Sequence, residues 1–366
     1  GYIGAVILNF LYFSEIGFDE LIDASIIVNA IGISCSFFGC IFANIIFKKR
    51  HYIVEKQNLD INLKYIIPFL FVVILNVVLL LLNNFDKIAE DDYDKFWFIT
   101  RHIFCVFPII SILCIKKIID RNDVEAGIFL VIVYILTFLS FVKYHIISIL
   151  LADWFFIYFY RYKLSVKYSK YMIVFVLMVF CANYYVSFLL SGQTVDGEFY
   201  INHLWKYIAG GTINTNYVIE SSNIFRYGDF GVVDWLFSQL LEFPGMIINY
   251  LLNIDISFRT YDIPMLTVNA YTDEESNVVN AFGIILIHSN NVFEYVIFCF
   301  ILYFIAAMVL RFGCVTNNMY YKALCSIVAP FFTLTFFANF FSLSQPWEYL
   351  FWGVVLPILL KINILK

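Results

Sequence analysis

Long apolar runs separated by short polar connections make up most of this chain. Runs of 16 to 23 apolar residues recur along the sequence, and each can cross about 30 Å of hydrocarbon as an α-helix. The alternating ten-residue segments of a membrane β-barrel are missing. The predicted fold class is therefore all-α: a polytopic integral membrane protein with about ten transmembrane helices. We predict spans at 1–13 (the tail of a first helix), 25–47, 65–82, 98–115, 126–142, 146–160, 171–190, 292–310, 323–341 and 347–360.

Composition supports lipid as the main solvent of the chain. Hydrophobic residues make up 62% of the sequence and charged residues only 14%, far from the proportions of soluble domains. Sixteen of the 23 Lys and Arg residues fall in connections that alternate onto one side of the membrane. The positive-inside rule makes that side cytoplasmic.

The same alternation leaves residues 191–291 outside as one loop between two spans. We therefore predict three domains: N-terminal transmembrane helices (1–190), a large periplasmic loop (191–291) and C-terminal transmembrane helices (292–366). Within the loop, residues 229–253 have an apolar face at helical spacing, broken at Pro244. This pattern predicts two short amphipathic helices that either lie at the membrane surface or fold back onto the helix bundle.

Seven basic residues break the positive-inside pattern, and five of them are candidates to bind an anion. Arg101 lies about one turn inside a span, where an ionisable residue is by default a site candidate. Lys143 lies in a three-residue turn, and Arg226 and Arg259 lie in the long loop. Lys206 lies in the passage HLWKYIAGGTINTNYVIE (203–220). Guanidinium and ammonium groups are common phosphate ligands.

Two histidines and a glycine pair complete the candidate chemistry. His203 and His145 are possible general bases because an imidazole titrates near neutral pH. Gly210 and Gly211, which lack side chains, would let backbone N–H groups approach a phosphate or sugar closely. A glycine pair that ends a helix is the alternative interpretation. No metal site, cofactor motif or nucleic-acid-binding pattern is present, so we expect no metal, cofactor or nucleic acid.

Two stretches of the sequence resemble the Wzy-type O-antigen and capsule polymerases of bacterial inner membranes. The first is YIAGGTINTNYVIE (207–220), with the family's Tyr, small residues and Asn at Tyr207, Gly210, Gly211 and Asn214. The second begins at 268 and contains the Asn-x-Tyr-Thr element as Asn269, Tyr271 and Thr272. The chain departs from the family where Asn280-Ala281-Phe282-Gly283 lacks an Asp directly before Phe-Gly, and where Lys143 stands in place of an Arg.

The resemblance implies polymerisation of undecaprenyl-diphosphate-linked oligosaccharide repeat units at the periplasmic face. A hydroxyl of one repeat unit would attack the anomeric carbon of the growing chain, and undecaprenyl diphosphate would leave. The implied enzyme is a metal-independent glycosyltransferase. Its partners would be the lipid-linked glycan, membrane lipids, and a chain-length regulator and flippase of the same pathway.

Three other functions remain open from the sequence. A ligase that moves finished glycan to a lipid acceptor would need the same architecture and cations. A flippase or other transporter would need cations buried along a path through several spans, and only Arg101 and Asp153 fit that pattern. A structural subunit would not need a loop of about a hundred residues with isolated arginines.

Overall fold

Helices account for nearly all of the backbone that the structure describes. The computed structural model describes residues 2–12, 20–47, 63–82, 102–140, 143–190, 197–220, 232–254, 266–269, 274–276, 278–336, 338, 341 and 344–362. The α-helices are α1 (Tyr2–Tyr12), α2 (Asp23–Ile46), α3 (Ile67–Leu82), α4 (Phe107–Arg121), α5 (Val124–Phe138), α6 (Lys143–Tyr160), α7 (Tyr162–Leu190), α8 (Gly197–Glu220), α9 (Val232–Leu252), α10 (Ala281–His288), α11 (Val292–Val315), α12 (Met319–Thr333) and α13 (Ser344–Ile362). Short 3-10 turns cover Leu63–Ile66 and Leu334–Phe336.

One small sheet accompanies the helices. Strands β1 (Leu266–Asn269) and β2 (Glu274–Ser276) pair antiparallel, with Leu266 opposite Ser276 and Thr267 opposite Glu275. The register shifts between Thr267 and Asn269. The fold is thus helical as predicted, with a two-stranded ribbon that the sequence pattern did not predict.

Each of the ten predicted spans coincides with a helix. Among the described residues, five helices are long and apolar enough to cross a membrane: Asp23–Ile46, His102–Arg121, Tyr162–Val186, Val292–Val315 and Met319–Phe336. The other predicted spans coincide with α1, α3, α5, α6 and α13. That ten helices cross the membrane stays a prediction.

The chain forms two compact units that do not follow sequence order. The first contains Gly1–Arg50, Gly197–Arg311 and Phe331–Trp347, and the second contains His51–Asp196, Phe312–Pro330 and Glu348–Lys366. Both the N-terminal and the C-terminal transmembrane segments contribute to each unit. The 191–291 segment, from Gly197 onward, belongs with the first unit.

In the first unit, α2 packs through a stripe of small and polar residues. Its buried positions are Ser25, Asn29, Gly32, Ser36, Gly39 and Ala43, which recur every three or four residues and therefore share one face. A Cβ at Gly32 would lie 2.6 Å from the Phe282 ring, and one at Gly39 would lie 2.6 Å from the Phe300 carbonyl oxygen. Small residues allow this close approach, as is common between membrane helices.

Helix α8 runs through the middle of the first unit. It packs against α1, α2, α10 and both strands, and residues 209–216 are all buried. The passage 203–220, where the glycine pair was expected either to approach a ligand or to end a helix, lies wholly within α8. Burial on all sides, with its backbone hydrogen bonds satisfied within the helix, overrides the weak helix propensity of Gly, Thr and Asn.

Helix α9 corrects a second expectation. Pro244 was expected to break the amphipathic segment, but α9 continues through it for 21 residues in all. A proline removes one helical hydrogen bond, and the buried Val232 and Phe243 anchor the helix before that point. Leu236 packs on the same cluster as Val232.

In the second unit, α4 is the central helix. All residues from Phe107 to Lys116 are buried, and α4 packs against α5 and α6, which in turn packs against α7. At the C-terminal ends of α4 and α6, the Tyr160 hydroxyl donates to Asp120. Nearby, Lys322 Nζ donates to the Phe159 carbonyl at 2.6 Å.

Candidate active site

A histidine and a glutamate form a buried pair in the second unit. His102 Nδ1 lies 2.8 Å from Glu348 Oε2, and Trp352 Nε1 donates to the other carboxylate oxygen at 3.2 Å. The Glu348 side chain is 1% exposed, whereas that of His102 is 16% exposed. The carboxylate therefore orients an imidazole that can still be reached from outside.

This arrangement selects one tautomer of His102. A carboxylate is only an acceptor, so Nδ1 carries the hydrogen that it receives. The lone pair of the neutral ring is then on Nε2, on the side away from Glu348. An imidazole held in this way by a carboxylate is the arrangement in which histidine acts as a general base.

A second histidine contacts the next residue of α13. His145 Nδ1 and the Tyr349 hydroxyl form a hydrogen bond, and the ring of Phe104 lies 6.2 Å from that of His145. His145 is 2% exposed and Tyr349 1%. In this structure His145 therefore has almost no surface for a substrate hydroxyl.

The helix geometry explains why consecutive residues of α13 contact different histidines. Neighbouring helical residues project about 100° apart, so Glu348 and Tyr349 face different partners. His102 lies just before α4 and His145 near the start of α6. We call these two hydrogen-bonded pairs, whose acceptor and donor partners are consecutive residues of α13, the two-histidine cluster: His102 with Glu348 and His145 with Tyr349.

The predicted cations lie only partly within the described structure. Arg101, Arg226 and Arg259 fall outside the described residues. Lys143 is the first residue of α6, two positions before His145, and Arg101 directly precedes His102 in sequence. Lys206 is a half-buried residue of α8.

The loop-motif residues belong mainly to α8. Tyr207 is half-buried, and Gly210 and Gly211 are buried in mid-helix. The approach of the backbone N–H groups of this glycine pair to a phosphate or sugar stays a prediction. The pair does not end a helix, because α8 continues to Glu220. Instead the Gly211 carbonyl accepts a hydrogen bond from Asn280 N at 3.0 Å.

Asn214 also has a structural contact. Its Nδ2 donates to the Val278 carbonyl at 2.7 Å, and the residue is 0% exposed. It therefore holds the chain before α10 against α8 and has no exposed surface for a glycan. Of the remaining motif residues, Asn269 ends β1, and Tyr271 and Thr272 fall outside the described residues.

His203 lies in the first half of α8, and the position of its side chain falls outside the described part of the structure. Of the two predicted bases, His203 is thus in the first unit, whereas His145 and the rest of the two-histidine cluster are in the second. Sequence reasoning singled out His145 but missed His102, Glu348 and Tyr349. A signal was available: Glu348 is an acid inside a predicted span, and such residues are site candidates by default.

Comparison with protein-family models, with characterised proteins and with solved structures found no match for this chain. The local geometry therefore has to support any functional proposal. Within the described ranges, no three His, Cys, Asp or Glu side chains are grouped closely enough to hold a metal ion together.

Proposed function

We propose that this chain is a membrane glycosyltransferase that polymerises undecaprenyl-diphosphate-linked oligosaccharide repeat units at the extracytoplasmic face of a bacterial inner membrane. The observation that carries the proposal is the two-histidine cluster. It joins residues near the starts of α4, α6 and α13. The corresponding predicted spans begin at 98, 146 and 347, and the distribution of basic residues assigns these ends to the extracytoplasmic side. A base at that level would meet a lipid-linked substrate at the membrane surface.

The opposite ends of these helices are consistent with that topology. The contacts of Asp120 with Tyr160, and of Lys322 with the Phe159 carbonyl, join segments whose charge pattern assigns them to the cytoplasm. We infer that ten spans alternate across the membrane and leave 191–291 outside. The five apolar helices long enough to span support this arrangement.

In the proposed reaction, His102 Nε2 accepts the proton of the acceptor hydroxyl. The acceptor oxygen then forms a bond with the anomeric carbon of the growing chain. The bond from that carbon to the diphosphate oxygen breaks, and its electron pair leaves with undecaprenyl diphosphate. Glu348 stabilises the imidazolium that forms, as a carboxylate does in a catalytic triad.

Negative charge grows on the leaving diphosphate and requires cations. Arg101 and Lys143, each within two residues of a histidine of the cluster, are our first candidates, followed by Arg226, Arg259 and Lys206. A preorganised donor at such a position contributes roughly 3 kcal/mol to transition-state stabilisation.

Deletion of the gene in the organism that carries it, followed by gel analysis of surface polysaccharide, tests the function. A polymerase predicts loss of the long-chain ladder while single repeat units remain attached to lipid. No attached glycan would indicate the ligase, and repeat units retained on the cytoplasmic side would indicate the flippase. A normal ladder would overturn all three.

His102→Gln tests the proposed base. Complementation with this variant should fail to restore long chains, because loss of a general base costs roughly 10²- to 10⁴-fold in rate. Glu348→Gln should lower the rate by up to roughly 10⁴-fold, as replacement of the orienting carboxylate does in a catalytic triad. The matched control is His288→Gln, the same substitution at a buried histidine of the first unit, which should restore the ladder. A full ladder with His102→Gln at normal expression would exclude His102 as the base.

A further inference from the structure

A buried carboxyl group links three helices of the second unit. Asp153 of α6 is 3% exposed. Tyr134 of α5 donates its hydroxyl hydrogen to Oδ2 at 2.6 Å, and Ser111 Oγ of α4 lies 2.8 Å from Oδ1. Ser111 is itself completely buried. The two oxygens of one carboxyl group therefore bridge α4, α5 and α6.

Ser111 has two close oxygen neighbours but only one hydroxyl hydrogen. Its Oγ lies 2.9 Å from the Pro108 carbonyl oxygen and 2.8 Å from Asp153 Oδ1. A carboxylate and a carbonyl both only accept hydrogen bonds. If Asp153 were ionised, one of these two contacts would hold two oxygens together without a hydrogen between them.

A proton on Asp153 Oδ1 satisfies every contact. Asp153 Oδ1 then donates to Ser111 Oγ, and Ser111 donates to the Pro108 carbonyl. Tyr134 donates to Oδ2, so that each of the three short oxygen–oxygen contacts carries one hydrogen. All the polar atoms of the network are then paired, as buried polar groups generally are.

The described surroundings of Asp153 provide no positive charge to pair with a carboxylate, which agrees with a neutral acid. Among the described residues, no Lys, Arg or His lies within ion-pair distance of it. The titratable groups that interact with it are Tyr134 and, on α4, the buried thiol of Cys114, neither of which is a cation. A buried charge without a partner is costly, so such groups take up a proton instead.

We propose that Asp153 is a proton-binding site inside the α4–α5–α6 bundle, where it carries a proton at neutral pH and donates it to Ser111. The proton is the ligand, and the site is complete only while it is bound. Loss of the proton would leave one of the two Ser111 contacts without a hydrogen and would place a negative charge between the three helices. This inference is independent of the glycosyltransferase proposal and of the two-histidine cluster.

Infrared spectroscopy of the purified full chain in lipid tests the site at neutral pH. Asp153→Asn should remove one C=O stretching band of a protonated carboxylic acid, a band that shifts when the protein is exchanged into heavy water. The asparagine variant should fold, since its amide N–H can donate to Ser111 Oγ and its carbonyl oxygen can accept from Tyr134. The matched control is Asp120→Asn, at an exposed carboxylate paired with Lys116 at 3.0 Å. It should leave the acid band unchanged and remove carboxylate absorption instead.

A second variant tests the site with Asp153 intact. Ser111→Ala removes the acceptor of the acid proton, so the acid C=O band should move to higher frequency. An acid band that is absent from the unmodified protein, that survives Asp153→Asn, or that Ser111→Ala leaves in place would overturn the assignment.

Discussion

At the residue scale, burial changes the pKa of His288 more than its position at the C-terminal end of a helix does. It is the last residue of α10, where the helix dipole favours a protonated imidazole by up to about 2 kcal/mol. Burial nevertheless lowers the pKa of His288 from 6.5 to about 4. Desolvation of the charged ring is therefore the larger effect, and the buried ring is neutral at physiological pH.

This shift predicts a pH dependence of stability. Between pH 6.5 and 4 the unfolded chain binds a proton at His288 that the folded chain does not. The free energy of unfolding therefore falls by about 3 kcal/mol as the pH is lowered from 6.5 to 4, and above pH 6.5 His288 causes no such loss. His288→Gln should flatten this part of the curve of unfolding free energy against pH, measured by denaturant titration. An unchanged slope would contradict a neutral buried His288.

Residue types alone did not reveal the roles of the motif residues. Asn214 and Gly211 have the composition of a ligand-binding loop, but their described contacts are with backbone groups of Val278 and Asn280. Polar side chains serve equally well to bind a ligand or to pair a buried backbone group. The distinction depends on burial, which a short sequence motif does not specify.

At the scale of elements, Asn280 ties the start of α10 to two other helices. Its Oδ1 accepts from Gly283 N at 2.9 Å and caps α10. Its Nδ2 lies 3.1 Å from Asn29 Oδ1 on α2 and 3.4 Å from Thr212 Oγ1 on α8. The Asn280-Ala281-Phe282-Gly283 stretch is thus a helix start whose cap also connects helices.

Replacement of Asn280 by Ala should therefore cost more than loss of a cap. We expect a loss of about 2 to 4 kcal/mol in unfolding free energy, from the cap itself and from the buried Asn29 oxygen left without its donor. The matched control is Asn291→Ala, at the exposed cap of α11, where Asn291 Oδ1 accepts from Glu294 N at 2.9 Å. That change should cost about 1 kcal/mol. Equal losses in denaturant titrations of the two variants would show that the buried contacts of Asn280 contribute nothing.

The positions of helices were predictable where a long apolar run by itself favours a helix. The described part of each predicted span is largely helical, because a helix satisfies its own backbone groups in apolar surroundings. Prediction failed for α8 and for the continuation of α9 past Pro244, where packing within the protein decides instead. Weak local propensity is overridden there by burial against several neighbouring elements.

At the scale of the whole molecule, the predicted topology can be mapped with introduced cysteines. The background would carry serine at the exposed Cys181 and Cys314. Asn290→Cys, between α10 and α11, should react with a membrane-impermeant maleimide added to cells with a permeabilised outer membrane. Lys163→Cys, near the start of α7, should react only after the inner membrane is also opened. Both positions are exposed, so labelling in the reverse order would contradict the assignment of sides.

The sequence by itself determined the helical fold class, the positions of the apolar helices and an internally consistent topology, because transfer into lipid depends on each segment's own composition. Only the tertiary structure paired His102 with Glu348, which is 246 residues away, and buried residues 209–216 in the middle of a helix. It also joined Ser111, Tyr134 and Asp153 into one network. These contacts depend on which helices lie side by side, and hydropathy does not encode that choice because helix packing in lipid is decided by local shape and by polar partners.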